Sequence, residues 1–422
     1  MTRDSQLATH ASLPWRRLVL SVLIVTLSTQ PVFLLAAAFL QLEDDLGLSI
    51  TGLGALSAAF FLTAAIASAP LGRAVERMGW QWAMKINCVG SSAVLVAIAL
   101  FARSVPVFVV LLVLGGAFYG LANPAANKAL AEQVDASRRG IAFGLKHAGI
   151  PSSTLLAGLA VPVLILTLGW QFSFVVSALL AVPVWVLIAV DRDLPFQPAG
   201  APPPGRGVRP LTALDLVMLA AASALSAAAA ISLGTFLIAA AVEEASFTEA
   251  AAGVLLFVGS IASISARIAV GAITDRIGGR GFAGVAILLG TGALVFLLLR
   301  PAMGLAFAVL VVVAFATAWG WTGLMTFTVV NANTSTVAAS SAIMQAGIFL
   351  GAGLGPILLG WTIDRYSFST SWVAVAVLLL TAASIVTVVG RRTSRPAGLA
   401  TRGEQGFQAT NTADQAREPR LG

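Results

Sequence analysis

Two octets, GRAVERMG (residues 72–79) and GAITDRIG (residues 271–278), lie 199 residues apart, and each closes an apolar run that is second in its half of the chain. At an offset of 198 residues, HAGI (147–150) falls on QAGI (345–348), each near the start of the fifth apolar run of its half. Two registers that differ by one residue, at matching places in the pattern, mark a duplicated unit. The meaning of the duplication depends on what the apolar runs are.

Of the 422 residues, 58% are hydrophobic and only 10% are charged, and the mean hydropathy is +0.93. Soluble domains carry about 25% charged residues, so the solvent of this chain is lipid. Twelve apolar runs, near 18–40, 50–72, 83–101, 105–127, 140–168, 171–190, 213–241, 250–274, 281–299, 302–330, 337–361 and 371–390, are each long enough to cross a hydrocarbon layer about 30 Å thick as a helix. The first run follows Arg16 and Arg17 and is longer than the apolar part of a signal peptide, so it reads as a retained span. The predicted fold is an all-α membrane protein of twelve transmembrane helices in two pseudo-symmetric six-helix bundles, residues 18–190 and 213–390. Residues 1–17 precede the first bundle. Residues 191–212 are rich in Pro and Gly and read as a flexible cytoplasmic linker. Residues 391–422 are polar and aperiodic, a disordered tail by composition. Transporters built from repeats place their substrate near the midplane, between the repeats.

With the N-terminus inside, 19 of the 25 Lys and Arg residues fall in inner loops, ends and tails, whereas QLEDDLG and VEEASFTEA place acids outside. Basic residues favour the cytoplasmic side, so both termini are expected there and the protein in the cytoplasmic membrane. The net charge of +7 is thus topological and does not form a nucleic-acid patch. One cysteine, Cys88, and two histidines, His10 and His147, leave no disulfide and no metal cluster. Nucleophile elbows, paired carboxylates and phosphate-binding glycine loops are missing as well. Neither an enzyme nor a cofactor is expected, and the chain is expected to act as a monomer in the bilayer.

The second octet, extended to GAITDRIGGR (271–280), resembles the loop signature G-x-x-x-D-R-x-G-R-R/K of the major facilitator superfamily, which joins the second and third helices of a half. The resemblance covers residues 15–392. It implies alternating access, with a charged latch on the cytoplasmic gate formed by Gly271, Asp275, Arg276 and Arg280, and in the first copy by Gly72, Glu76 and Arg77. The first copy departs from the pattern: Glu76 replaces the aspartate, and Trp80 and Gln81 stand where basic residues belong. The stronger latch is therefore expected in the second half. The fourth-helix signature R-x-x-Q-G of many proton-coupled members falls on GAFYG, with Gly116 and Tyr119 instead, and the fifth-helix antiporter pattern is absent at AGIPSST. A partial version, Gly351, Gly355, Pro356 and Gly360, stands in the eleventh run. Gly347, Gly351 and Gly355 form one helix face suited to close packing. Pro124, Pro151 and Pro356 are expected to bend helices around a central cavity. Trp319 and Trp321 are read first as packing residues.

Three cations remain inside apolar runs: Lys128, Lys146 and Arg267. Lys128 is near the inner edge and can snorkel. Lys146 lies seven residues past Arg139 and Arg267 eight before Asp275, about 10 and 12 Å into the core. In the resembled architecture the fifth and eighth helices face each other, so these two cations are expected to converge from opposite halves. Cations in one cavity with no deep acid beside them call for an anionic substrate, the structural alternative being that each bonds to backbone carbonyls or to nearby Ser and Asn, and an arginine in the eighth helix is similar to the anion-carrying branches of that superfamily. The expected substrate is a small organic anion, a carboxylate first, held by Lys146 and Arg267 with His147, Asn123, Ser152 and Gln345 around it. Transport is coupled to a proton or to a counter-anion. The alternative function is efflux of hydrophobic or drug-like compounds.

Overall fold

The computed structural model describes residues 15–131, 139–190, 211–277, 281–333 and 337–393, with the side chains of 131, 139–141, 143, 274–277 and 337–339 left aside. Among these residues twelve helices are long and apolar enough to cross a bilayer: α1 (Trp15–Ala37), α2 (Ile50–Met78), α3 (Trp80–Phe101), α4 (Val105–Leu130), α5 (Gly144–Leu168), α6 (Trp170–Val190), α7 (Ala213–Glu243), α8 (Glu249–Ile273), α9 (Gly281–Leu299), α10 (Gly304–Ala332), α11 (Ser340–Arg365) and α12 (Phe368–Thr393). Ile66, Ile287 and Leu305 are 78%, 68% and 81% exposed, an arrangement that only a lipid solvent tolerates at this density.

Tight connections come from glycines in conformations other residues avoid. Gly79 (φ 83°) joins α2 to α3 and Gly169 (φ 85°) joins α5 to α6, each in the positive-φ region open to a residue without Cβ. Because Gly79 lets the chain turn at once, α3 begins at Trp80 and not near residue 83. At the other end α12 continues past 390 to Thr393. Arg391 and Arg392 stand in its last turn, where cations complement the helix dipole, and Arg392 lies 3.5 Å from Asp215 at the start of α7. Asp215 also forms a capping box with Thr212, which sets where the linker ends and α7 starts. Of the expected N-terminal segment only residues 15–17 are described, as the first turn of α1; the tail beyond 393 lies outside the described residues, as does the linker except for Leu211 and Thr212.

The bundle has two faces. The starts of α1, α3 and α7 and the ends of α4 and α12 meet on one of them, here the near face: Arg17 donates to Ala129 O (3.3 Å) and stacks 4.9 Å from the Trp80 ring. The opposite, far face carries Glu43, Asp45, Glu243, Glu244 and Asp364. Burial together with Asp44 and Asp364 raises the Glu43 carboxyl above its usual range. Trp170 Nε1 donates to Asp45 Oδ2 (2.9 Å).

Small residues set the helix spacing. A Cβ added at Gly347, Gly351 or Gly355 would run into the backbone of Ala220, Ala224 or Ala228, so α11 lies against α7 along the glycine face read in the sequence. The halves meet in the same way. Gly54 of α2 lies against the Pro356 carbonyl of α11, and a Cβ at Gly158 of α5 would be 2.6 Å from Gly253 O of α8. Both crossings are in the far half of the bundle. There Thr51 N also donates to Asp364 Oδ2 (2.8 Å), and Thr154 and Ser260 share a 2.7 Å hydrogen bond.

Candidate functional site

Helix α5 is interrupted, as α6 and α10 are at 179–180 and 319–320. The helical segment Arg139–Lys146 ends, a turn occupies His147 and Ala148, and a new segment runs from Gly149 to Ala160. The cause is Pro151, which has no N–H and whose ring crowds the carbonyl four residues back. That carbonyl belongs to His147. Ala148 N turns instead to Leu145 O (2.9 Å), leaving His147 O without a partner in its own helix. Arg267 of α8, in the other half, supplies one: its Nη1 donates to His147 O. Gly144 makes the approach possible, since a Cβ there would stand 2.8 Å from Arg267 O. By contrast the helices run unbroken through Pro124 and Pro356.

Around this junction is a cavity between the halves, with a volume of about 40 Å³, room for roughly two or three waters. Any larger ligand requires the helices to part. Lys146, His147 and Ile150 of α5, Tyr119 and Asn123 of α4 and Val25 of α1 line it from the first half. Arg267 of α8, Gln345 and Ile348 of α11, Trp319, Trp321 and Thr322 of α10 and three residues of α7 line it from the second. Five of the six predicted substrate residues thus share one wall. Ser152 does not: it sits half-buried on α5, outside the lining, with its N–H on Ala148 O.

The wall is rich in donors. Lys146 and Arg267 are 3% and 4% exposed, and among the described residues the lining contains no Asp or Glu. Among the described residues Arg267 Nε, Trp321 Nε1 and the Thr322 hydroxyl are buried without a partner. Each such N–H costs about 1–3 kcal/mol when nothing accepts from it. Trp319 Nε1 is satisfied by Ala230 O, and His147 Nε2 lies 3.4 Å from Thr326 Oγ1. Tyr119 and Trp319 also belong to an aromatic chain through Phe33, Phe61 and Phe349 that joins the two halves, with ring centroids 5.5–6.4 Å apart.

The sequence does not mark Tyr119 and Thr322 as site residues, and it offers cavity lining for Trp319 and Trp321 only as the lesser reading beside packing. One signal was available for Tyr119, which is one of only two tyrosines and stands one helical turn before Asn123. The tryptophans carried no such mark, since a tryptophan inside a span usually packs.

The predicted gate residues are more dispersed. Glu76 is bound by Lys128 of α4, whose Nζ lies 3.0 Å from Glu76 Oε2 and also donates to Val75 O and Glu76 O. Lys128 therefore caps the C-terminal turn of α2, a firmer role than snorkelling alone. Arg77 is exposed one residue further on, and a Cβ added at Gly72 would stand 3.8 Å from Pro124, an ordinary contact. Gly271 is buried in α8. The side chains of Asp275 and Arg276, and Arg280 altogether, lie outside the described residues. Asp364, on the far face, accepts from Thr51 N across the two halves, a contact the sequence reading does not include. GWTIDR (360–365) repeats the G-x-x-x-D-R spacing of 271–276, a signal that could have found it.

Glu76 is 74% exposed and Lys128 24%. Glu76→Gln is thus expected to change thermal stability by less than about 1 kcal/mol. Lys128→Met, which uncaps two carbonyls as well, is expected to cost more. Thermal unfolding of both purified variants checks this, and equal losses would show that the carboxylate alone matters.

The family model for the Major Facilitator Superfamily matches residues 18–340 and 219–419. The chain belongs to the major facilitator superfamily. No curated protein matches it closely enough to count as a relative. As a member of this superfamily it is a multi-pass secondary transporter for a small molecule.

Proposed function

We propose that this superfamily member carries a small organic anion, a carboxylate, across the cytoplasmic membrane by alternating access. One feature carries the reading: a cavity between the halves holds two buried cations and two N–H donors without a partner among the described residues, with no acid in its described lining. Such a wall offers protons and asks for acceptors. A carboxylate supplies two oxygens and one negative charge, satisfying Arg267 Nε–H and Trp321 Nε1–H while balancing Lys146. The rest of the wall, with Val25, Ile150, Ile231 and Ile348, suits a compact apolar body behind the carboxylate.

The near face is assigned to the cytoplasm from the distribution of basic residues. A proton on His147 or a counter-anion in the same cavity provides the coupling. Uptake of labelled carboxylates into proteoliposomes, with hydrophobic cations as the contrasting set, tests the substrate class. Transport of the hydrophobic cations alone would replace this reading by efflux.

The duplicated G-x-x-x-D/E-R loops are assigned to the cytoplasmic gate. Asp275→Asn is expected to cut the transport rate at least about tenfold, the loss of a charge-assisted contact, with membrane insertion unchanged. An unaltered rate removes the latch from this mechanism.

A further inference from the structure

We infer that Pro151 is a positioning residue for Arg267: by removing one backbone donor from α5 it leaves the His147 carbonyl open as the dock that orients the guanidinium toward the substrate. The inference rests on the anion reading of the cavity. A guanidinium free to rotate presents its edges at random, whereas one anchored through a single nitrogen presents a defined edge. The anchor here is Nη1 on His147 O. What remains facing away from the dock is the edge formed by Nε and Nη2, and Nε has no partner among the described residues. That edge carries two parallel N–H groups at the spacing of a carboxylate's oxygens.

Three details of the chain converge on this one bond. Pro151 withholds the N–H that would otherwise occupy His147 O. The turn at His147 and Ala148 exposes the carbonyl to α8. Gly144, one turn earlier, lets the α8 backbone approach at Arg267 itself. Any other residue at position 151 brings an N–H that competes with Arg267 for the same oxygen, and a regular α5 turns that oxygen back along its own axis. The dock also joins the halves, since α5 and α8 belong to different bundles, so the edge offered to the substrate is registered to the interface that must move.

The test is a double-mutant cycle between Pro151→Ala and Arg267→Met in the full-length purified protein, read in two ways. Thermal unfolding needs no ligand. In the Arg267→Met background the His147 carbonyl has lost its donor, so Pro151→Ala restores one and should raise Tm by about 2 °C more than it does in the parent. Binding is read from the fluorescence of Trp319 and Trp321 on titration with acetate, pyruvate and benzoate. Pro151→Ala should weaken the best of these about three- to tenfold with Arg267 present and leave it unchanged in Arg267→Met. Its effect on transport should fall on KM more than on the maximal rate. Equal Tm shifts in both backgrounds would overturn the positioning role whatever the parent binds. A coupled Tm cycle in a parent that binds none of the three anions would overturn the anion reading instead, together with the orienting purpose assigned to the dock.

Discussion

Arg267→Met and Lys146→Met are each expected to weaken carboxylate binding about ten- to a hundredfold, that is by roughly 1.5–3 kcal/mol. The two variants should differ in everything else. Lys146 is 3% exposed and no described acid lies within ion-pair distance, so replacing it by Met removes a desolvated charge and should leave the fold neutral or more stable. Arg267 also holds the His147 carbonyl, and its loss orphans a part-buried acceptor between the two halves, so Arg267→Met should lower Tm as well. Arg267→Lys retains the charge and can reach one oxygen, yet it lacks the fork, so it should recover stability more fully than affinity. Uptake, binding and Tm of the three variants at equal expression decide the matter. Normal anion transport in both Met variants would make the two cations structural and return the substrate question to hydrophobic efflux.

Gly54→Val is expected to nearly abolish transport while the protein still folds and inserts. Gly54 sits where α2 crosses α11, with the Pro356 carbonyl in the space a Cβ would take. Backbone on both sides leaves nothing flexible to yield. Overpacking of this kind costs about 1–3 kcal/mol. Here the cost can be avoided, because α2 and α11 belong to different halves and parting them relieves the clash. The substitution should therefore shift the population toward a far-open form by about ten- to a hundredfold, and the hydrogen bond from Thr51 N to Asp364 should break with it. A cysteine placed at Ile348, in a Cys88→Ser background, should then react with an impermeant maleimide from the far side much faster than in the parent. Gly351→Val offers the contrast. Its collision is with Ala224 of α7, inside one half, so no rigid-body motion relieves it and expression itself should fall. Unchanged maleimide reactivity in Gly54→Val would show that the α2–α11 crossing does not control far-side access.

Much of this protein is one-dimensional information. A helix in lipid must satisfy its own backbone and clothe it in apolar side chains for about 20 residues. Composition and run length therefore suffice to place twelve spans, and the repeated octets suffice to pair them into halves. Glycines spaced by four residues, as at 347, 351 and 355, announce a packing face for the same reason: only backbone proximity makes the absence of a side chain useful. The break at Pro151 is equally local, because the proline and the carbonyl it strands are four residues apart in one helix.

What takes up that carbonyl is decided elsewhere. Arg267 is 120 residues from His147, and its arrival depends on the crossing of α5 and α8, which Gly144, Gly158 and Gly253 set through their neighbours' backbones. The same holds for Lys128 on the end of α2, for Asp364 on Thr51, and for Trp319 and Trp321 turning into the cavity while Ser152 stays out of it. Hydropathy reports how deep a residue lies along the bilayer normal, but side-chain convergence depends on the rotation of each helix about its axis and the rise of one past another. Those two quantities are fixed by interhelical contacts at close range, and they come into being only when the twelve helices pack.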